Sequence, residues 1–242
     1  MAITIETGVT IDPGVIFGDV PVVTPGLTHT VTANLSAQVS TAQVKFGTGS
    51  YTSNSLAGFL KATPNTDFGF GTGDFTIELW YYPTVTNVDA TVIGFRPVSV
   101  NGPYPTITAL NGGSVGYYAN TAFRITSAAN ALTTNTWNSI AVSRSSGNTK
   151  MFINGNQVGT TYVDTNNFLA SNCIIGSNDF SQNGANPIRG YLDEIRVSNI
   201  GRYTGNYTPA TQAFSTDQYT LLLIHCDGTN GSTAFTDASH SV

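Results

Sequence analysis

The sequence predicts an all-β fold, a two-sheet antiparallel β-sandwich or jelly roll, with an extended N-terminal arm. Three observations carry this expectation. Residues 74–82 alternate strictly: Phe75, Ile77, Leu79 and Tyr81 share one face, and Asp74, Thr76, Glu78, Trp80 and Tyr82 share the other. Period two with β-branched and aromatic residues is a strand signal, bounded here by Gly71-Thr72-Gly73 and Pro83. Short β-prone runs then recur along the chain between Gly, Pro and Asn turn residues, with no helical period sustained over about ten residues. Finally, Leu221 to Cys226 is a continuous apolar run, as expected of a strand buried on both faces.

In order, residues 1–28 read as the arm. Ile3-Thr4-Ile5 and Val9-Thr10-Ile11 are β-prone, but Pro13-Gly14, Pro21 and Pro25-Gly26 interrupt them. Such pieces form no core alone; they are either a loose leader or an addition to a neighbour's sheet edge. From His29, strands are expected at Val31–Ala33, Ala42–Phe46, Ser50-Tyr51, Phe59–Ala62, the 74–82 run and Thr91–Phe95. Residues 96–113, with Pro97, Pro103 and Pro105, read as one long loop. Val115–Tyr118 with Phe123–Ile125 reads as a hairpin, and Trp137–Arg144 as a strand. Lys150–Ile153 and Asn156–Gly159 flank Asn154-Gly155, a type I′ hairpin signal, because both residues tolerate positive φ. Ile174–Gly176, Tyr191–Val197 and Leu221–Cys226 complete the set.

Composition narrows the function. The 242 residues are 40% hydrophobic and 11% aromatic, ample for a core, yet only 10% charged, against about 25% in ordinary soluble domains. Thr, Ser, Asn and Gly supply the polarity, giving an uncharged surface rich in hydrogen-bonding groups. A net charge of −5 with nine Lys plus Arg leaves no electrostatic footprint for nucleic acid. No apolar run is long enough to insert into a membrane. No basic residue precedes Lys45 and no apolar signal core follows the start, so synthesis in the cytoplasm without a signal peptide is expected. Cys173 and Cys226 sit in apolar runs and read as buried thiols, the alternative being a disulfide.

Three stretches together resemble the laminin-G-like, concanavalin A-like jelly roll in the version common in bacteriophage structural proteins. They are Phe70 to Trp80, Trp137 to Val158, and Gly190 to Asn199 running on through Arg202-Tyr203-Thr204 to Pro209. The resemblance spans residues 29–242. In that family a domain opens with an apolar strand ending in His-x-Asp-Gly, then an acidic, Ser-containing loop, then His-Thr-Val-Thr-Ala. Here the first two parts stand at the C-terminus, as Leu221–Gly228 and Thr236–His240, while His29–Ala33 follows the arm. The resemblance therefore implies a circular permutation, with Val242 near His29. The alternative is a swap in which the last strand completes a neighbouring subunit of a homo-oligomer.

Candidate chemistry follows. Alternation places Asp193 with Tyr191, Ile195 and Val197, facing inward, where it needs several hydrogen bonds or a cation. The resemblance implies a calcium (Ca2+) site there, with Asp227 and Asp237 as further oxygen ligands; the other reading is a carboxylate held by backbone N–H groups. A glycosidase would need two carboxylates across one cleft. Glu78, Asp193 and Glu194 are the candidates, but consecutive strand residues face opposite ways, so Asp193 and Glu194 do not converge. Glu78 and Glu194 read as sheet-face charges, Glu194 sharing a face with Arg196, and His29, His225 and His240 as structural. For glycan contact the expected residues are Tyr104 in the Pro-rich loop and Asn178, Asp179 and Phe180 in the next, ring faces for sugar faces and polar groups for hydroxyls.

The resulting expectation is a non-enzymatic virion-surface structural protein of a bacteriophage. It would be a capsid decoration (cement) protein or a tail or fibre adhesion protein, contacting other virion proteins through the arm and glycans through its rim. Alternatives are a free bacterial lectin-like module and a glycoside hydrolase.

Overall fold

A computed structural model describes residues 28–54, 57–64 and 66–239, so the arm, apart from Thr28, and the expected position of Val242 lie outside the described residues. Among these are sixteen strands. The first nine are β1 (Thr30–Leu35), β2 (Gln38–Ser40), β3 (Ser50–Thr52), β4 (Gly58–Thr63), β5 (Phe75–Pro83), β6 (Ala90–Gly94), β7 (Thr106–Leu110), β8 (Ser114–Ala119) and β9 (Ala122–Thr126). They are followed by β10 (Asn138–Ser145), β11 (Asn148–Ile153), β12 (Asn156–Val163), β13 (Cys173–Ile175), β14 (Gly190–Ser198), β15 (Thr220–Ile224) and β16 (Ala234–Thr236). One sheet runs β16-β1-β4-β13-β6-β7-β8-β9 and the other β12-β11-β10-β5-β14-β3-β2, with β15 also paired to β14. Pairing is antiparallel throughout, the two-sheet sandwich that the alternating strands predict.

The core fills the space between the sheets. Phe75, Ile77, Leu79 and Tyr81 of β5 point into it, joined by Ile140 and Val142 of β10 and Leu192, Ile195 and Val197 of β14. Leu60, Ala62, Ile93, Ile107, Tyr117, Ile125 and Ile175 face them from the other sheet. At one end Phe68, Phe70, Phe75, Phe95 and Phe168 form a ring cluster with centroids 4.8–5.7 Å apart. Cys173 and Cys226 are free, buried thiols, so the disulfide alternative falls away.

The outer face of β5 is covered too. The strap of residues 199–219 between β14 and β15 crosses it: Thr76 Oγ1 donates to Ile200 O at 2.7 Å, Tyr203 Oη donates to Glu78 Oε2 at 2.7 Å, and Phe214 lies 4.1 Å from the Arg196 guanidinium. Glu78 is thus 2% exposed, paired with Arg196 through Nε at 2.9 Å and Nη2 at 2.8 Å.

Two expectations are corrected. Ala42–Phe46 is not a strand: the Lys45 and Phe46 N–H groups donate to Asp193 Oδ2 at 2.9 and 3.2 Å, leaving them unavailable to a ladder. Residues 96–113 are not one loop, because Thr106–Leu110 forms β7, with Ile107 and Ala109 facing the core. Phe95 N–H bonding to Pro105 O at 3.1 Å closes the shorter true loop.

The first and last described strands pair in one sheet. β16 pairs with β1 (Thr30↔Thr236, Val31↔Phe235), and all five residues of β15 are buried against β14. Asp237 clasps the junction. It accepts from His29 N at 2.9 Å, Leu223 N at 3.1 Å and Ser239 N at 2.9 Å, and lies 2.9 Å from His29 Nδ1.

Two predictions follow from this framework. At the β11–β12 turn Asn154 and Gly155 have φ of 51° and 78°, and a Cβ on Gly155 would collide with Tyr207 O of the strap. Gly155→Val therefore costs about 2–3 kcal/mol in chemical denaturation, combining positive-φ strain with displacement of the strap; an unchanged midpoint would refute it. For the clasp, burial raises the Asp237 carboxyl, but its bonds to His29, Ser239 and Leu223 outweigh this and leave it below the ordinary carboxylate value. Its stabilisation is present above about pH 4 and is lost as pH falls through the lowered folded value. Asp237→Ala is expected to cost about 3 kcal/mol at neutral pH by orphaning buried donors, with the difference from wild type shrinking in acid.

Candidate functional site

The outer face of the sheet that contains β6, β8 and β9 carries a row of partly exposed rings. Gly94 ends β6 without a side chain, and a Cβ there would collide with the Asp179 carboxylate. That space lets the loop after β13 lie down on the sheet. Asp179, fully buried, accepts from Arg96 N at 2.9 Å, Arg96 Nε at 3.0 Å, Arg96 Nη2 at 2.6 Å and Thr106 Oγ1 at 2.8 Å. Asn178 Oδ1 accepts from Phe180 N and Ser181 N at 2.9 and 3.2 Å, a side-chain turn that fixes where Phe180 projects.

The bidentate pair holds the Arg96 guanidinium flat between two rings, 5.0 Å from the Tyr118 centroid and 5.4 Å from that of Phe180. Tyr118 meets Phe123 edge-on at 5.5 Å. Phe180, Arg96, Tyr118 and Phe123 thus form a continuous row; Phe123 is 46% exposed and the others half-buried. Gln182 Nε2 donates to Arg96 O at 3.3 Å, setting a neutral amide beside it. Ring faces beside amides suit a ligand with apolar C–H faces and peripheral hydroxyls.

Of the four residues expected to contact glycan, only Phe180 presents a ring. Asn178 and Asp179 build the loop. Tyr104 is 7% exposed and part of the core, because β7 begins two residues later and draws it between the sheets. Arg96, Tyr118 and Phe123 escaped sequence reasoning: Arg96 lies in the loop after β6, Tyr118 in β8 and Phe123 in β9, and only tertiary packing brings them together. A faint signal existed in Tyr118 and Phe123, which flank the tip of the expected hairpin.

The acidic candidates behave differently. A β-bulge interrupts β14 between Asp193 and Arg196, with Glu194 at φ 50°. Alternation resets there: Ile195 and Val197 face the core, while Asp193 stays beside Trp80 on the outer side and is capped by the N–H groups of Lys45, Phe46 and Glu194. Glu194 lies on the outer side with Arg196, as expected: it accepts from Phe214 N at 2.6 Å, while Arg196 packs on the Phe214 ring, and it lies 2.8 Å from His225 Nδ1. Asp227 accepts from Thr48 N and, at 3.0 Å, from Thr48 Oγ1, next to the turn that caps Asp193. Asp237 lies elsewhere, at His29. Among the described residues no group of three or more His, Cys, Asp or Glu is arranged to hold a metal ion. Glu78 and Glu194 are each committed to buried partners and do not face one another across a cleft.

A family model for the concanavalin A-like lectin/glucanases superfamily matches residues 56–204. No protein of curated function matches the sequence. Among solved structures, the fold is similar to that of a provisionally named carbohydrate binding protein from Bacteroides ovatus, with 18% identity and a TM-score of 0.56 over 88% of this chain and 56% of that one. It is also similar to domain 4 of AbnA, an extracellular arabinanase from Geobacillus stearothermophilus solved with arabinotriose, with 14% identity and a TM-score of 0.51 over 72% of this chain and 82% of that one. The binding domain of botulinum neurotoxin serotype C1 matches with 17% identity and a TM-score of 0.50, over 72% of this chain and 45% of that one. This chain thus spans little more than half of the first of these structures.

The acidic pairs generate a pH prediction. Burial pushes the Asp193 carboxyl up to about 7 against the pull of its backbone donors, and the Glu194 bond raises His225 above the ordinary imidazole value. Both folded values lie above the unfolded ones, so both contributions are full at low pH and are lost as pH rises through them. The melting temperature is expected to fall between about pH 5 and pH 8, and Asp193→Asn to remove most of that decline. A decline of wild-type size in the variant would refute this assignment.

Proposed function

Because the chain belongs to the concanavalin A-like lectin/glucanases superfamily, we propose that it is a non-catalytic glycan-binding module, displayed on a bacteriophage virion as a decoration or adhesion protein. The observation that carries the binding half is the open Phe180–Arg96–Tyr118–Phe123 row on a sheet whose nearby carboxylate, Asp179, is consumed by its ion pair. The row offers stacking surface and one rigid cation without a free acid beside it. Residues 1–28 would provide the contact with other virion proteins, and repeated copies would give the surface avidity.

A second reading, a free lectin-like module of bacterial origin, is favoured by the fold likeness to a structure described as carbohydrate binding. The two readings share the site and differ in setting; proteomics of a purified particle separates them, since a free lectin is absent from it.

The site itself is tested on a glycan array with the intact chain. Defined saccharide binding is expected, weakened at least about tenfold by Phe123→Ala, the loss of one stacking ring. Equal binding by wild type and variant would remove this face from the proposal, and release of reducing sugar from any bound glycan would return the protein to the hydrolase reading.

A further inference from the structure

The opposite sheet carries a second row of rings. β5 ends with Tyr82 on its outer face; Tyr191 of β14 pairs with it on one side, and Trp137, just before β10, lies on the other. Tyr82 meets Trp137 at 5.5 Å and 64°, and Tyr191 at 5.9 Å and 74°. The outer rings therefore stand roughly two strand spacings, about 10 Å, apart. All three are half-buried in a fold that covers the rest of β5 on both faces. The strap shields Thr76 and Glu78, and the ring of Trp80 lies under Lys45 at 3.9 Å, but no residue of the strap makes a ring contact with the three.

The row continues into a cleft of about 200 Å³ lined by Thr52, Asn54, Thr84, Gly190 and Tyr191. Gly190, at φ 138°, lines it: a Cβ there would collide with Tyr82 O, so glycine lets β14 approach β5 closely beside the cleft. Thr52 Oγ1 donates to Gly190 O at 3.0 Å and accepts from Asn54 N at 3.1 Å, which fixes the exposed Asn54 at φ 50° beside the rings. The lining contains no ionisable group except the tyrosine phenol. Among the described residues none hydrogen-bonds the Tyr82 or Tyr191 hydroxyl or the Trp137 indole N–H.

We infer that this row is a second saccharide site, on the sheet opposite the first and selective for neutral sugars. The inference rests on the glycan-binding reading and extends it. Three rings at successive strand spacings offer contacts to successive pyranose units, and hydroxyl and amide groups match sugar hydroxyls. The cleft lining itself carries no cation, with Lys45 drawn over Trp80 and Arg189 outside the lining; that disfavours acidic sugars, which the Arg96 face accommodates better. Sites on opposite sheets make the module bivalent, so one chain bridges two glycan strands.

The molecule contains its own reporter. It has two tryptophans, Trp80, 6% exposed, and Trp137, in the row, while the Arg96 face has none. The intact chain is titrated with cello-, xylo- and chito-hexaose, following tryptophan emission and calorimetric stoichiometry. A saturable blue shift with two sites per chain is expected. Tyr191→Ala should weaken the emission-detected affinity at least about tenfold. Asn54→Gly, which retains the left-handed backbone, should weaken it severalfold even if the tyrosine variant folds poorly, and Phe123→Ala should reduce the stoichiometry to one. Calorimetric binding without an emission change, or with an affinity indifferent to both Tyr191→Ala and Asn54→Gly, overturns the second site while leaving the first intact. One site, seen in emission and indifferent to Phe123→Ala, upholds the second and overturns the first. An emission change on dilution alone shows a second copy on the row, and silence toward all three oligosaccharides leaves no neutral-sugar site; each overturns the inference.

Discussion

The structure depends on a strand that needs cover on both faces. Strand β5 gives the core Phe75, Ile77, Leu79 and Tyr81, and turns Thr76, Glu78 and Trp80 outward, yet all seven are buried. A carboxylate cannot be left dry without partners. The chain answers with the strap of residues 199–219, whose Tyr203, together with Arg196 beneath it, satisfies Glu78. Tyr203 stacks in turn on Tyr207 at 3.6 Å, and Tyr207 N donates to Gly155 O in the hairpin turn at 2.9 Å. One buried glutamate thus ties together two central strands, the strap and an edge hairpin. Breaking such a pair from one side is more damaging than its net contribution suggests, because the abandoned charge stays buried.

The same logic explains why so few acids remain for chemistry. Asp179 anchors a loop, Asp237 ties His29 before β1 to Leu223 of β15, and Asp193 caps the turn at Lys45 and Phe46. Each replaces a missing ladder bond or pins an irregular segment, in a protein whose surface relies on amides and hydroxyls. What the sheets leave open is accordingly aromatic and neutral: one row organised by an arginine that is itself neutralised, and another organised by pairing alone. Surfaces of that kind favour ligands recognised by shape and weak polar contacts, with affinity gained through repetition rather than through charge.

How much was legible in the chain differs by feature. Strands of strong alternation, the Asn154-Gly155 turn and the buried C-terminal run could be read directly, since period, turn chemistry and apolar length are local properties. The face of Asp193 on β14 could not. One residue in a left-handed conformation, Glu194, reverses the alternation after Asp193, and a bulge has no reliable local signature when its extra residue is not glycine. The Ala42–Phe46 segment failed for a related reason: its β-propensity was overridden by a carboxylate 148 residues further on.

The sequence by itself determined the sandwich, the covered central strand, the poverty of charge and the superfamily, because these are written in periodicity and composition along one line. Tertiary structure alone decided which rings stay open. Tyr104, in a Pro-rich stretch, was drawn inward by the strand that follows it, whereas Phe123 and Tyr191, unremarked members of ordinary strands, ended on outer faces beside Tyr118 and Tyr82. Exposure is set by what the rest of the chain places above a residue. Cross-strand neighbours are set by register between segments that may be more than a hundred residues apart, as Tyr82 and Tyr191 are, and neither can be computed from the residue's own neighbourhood.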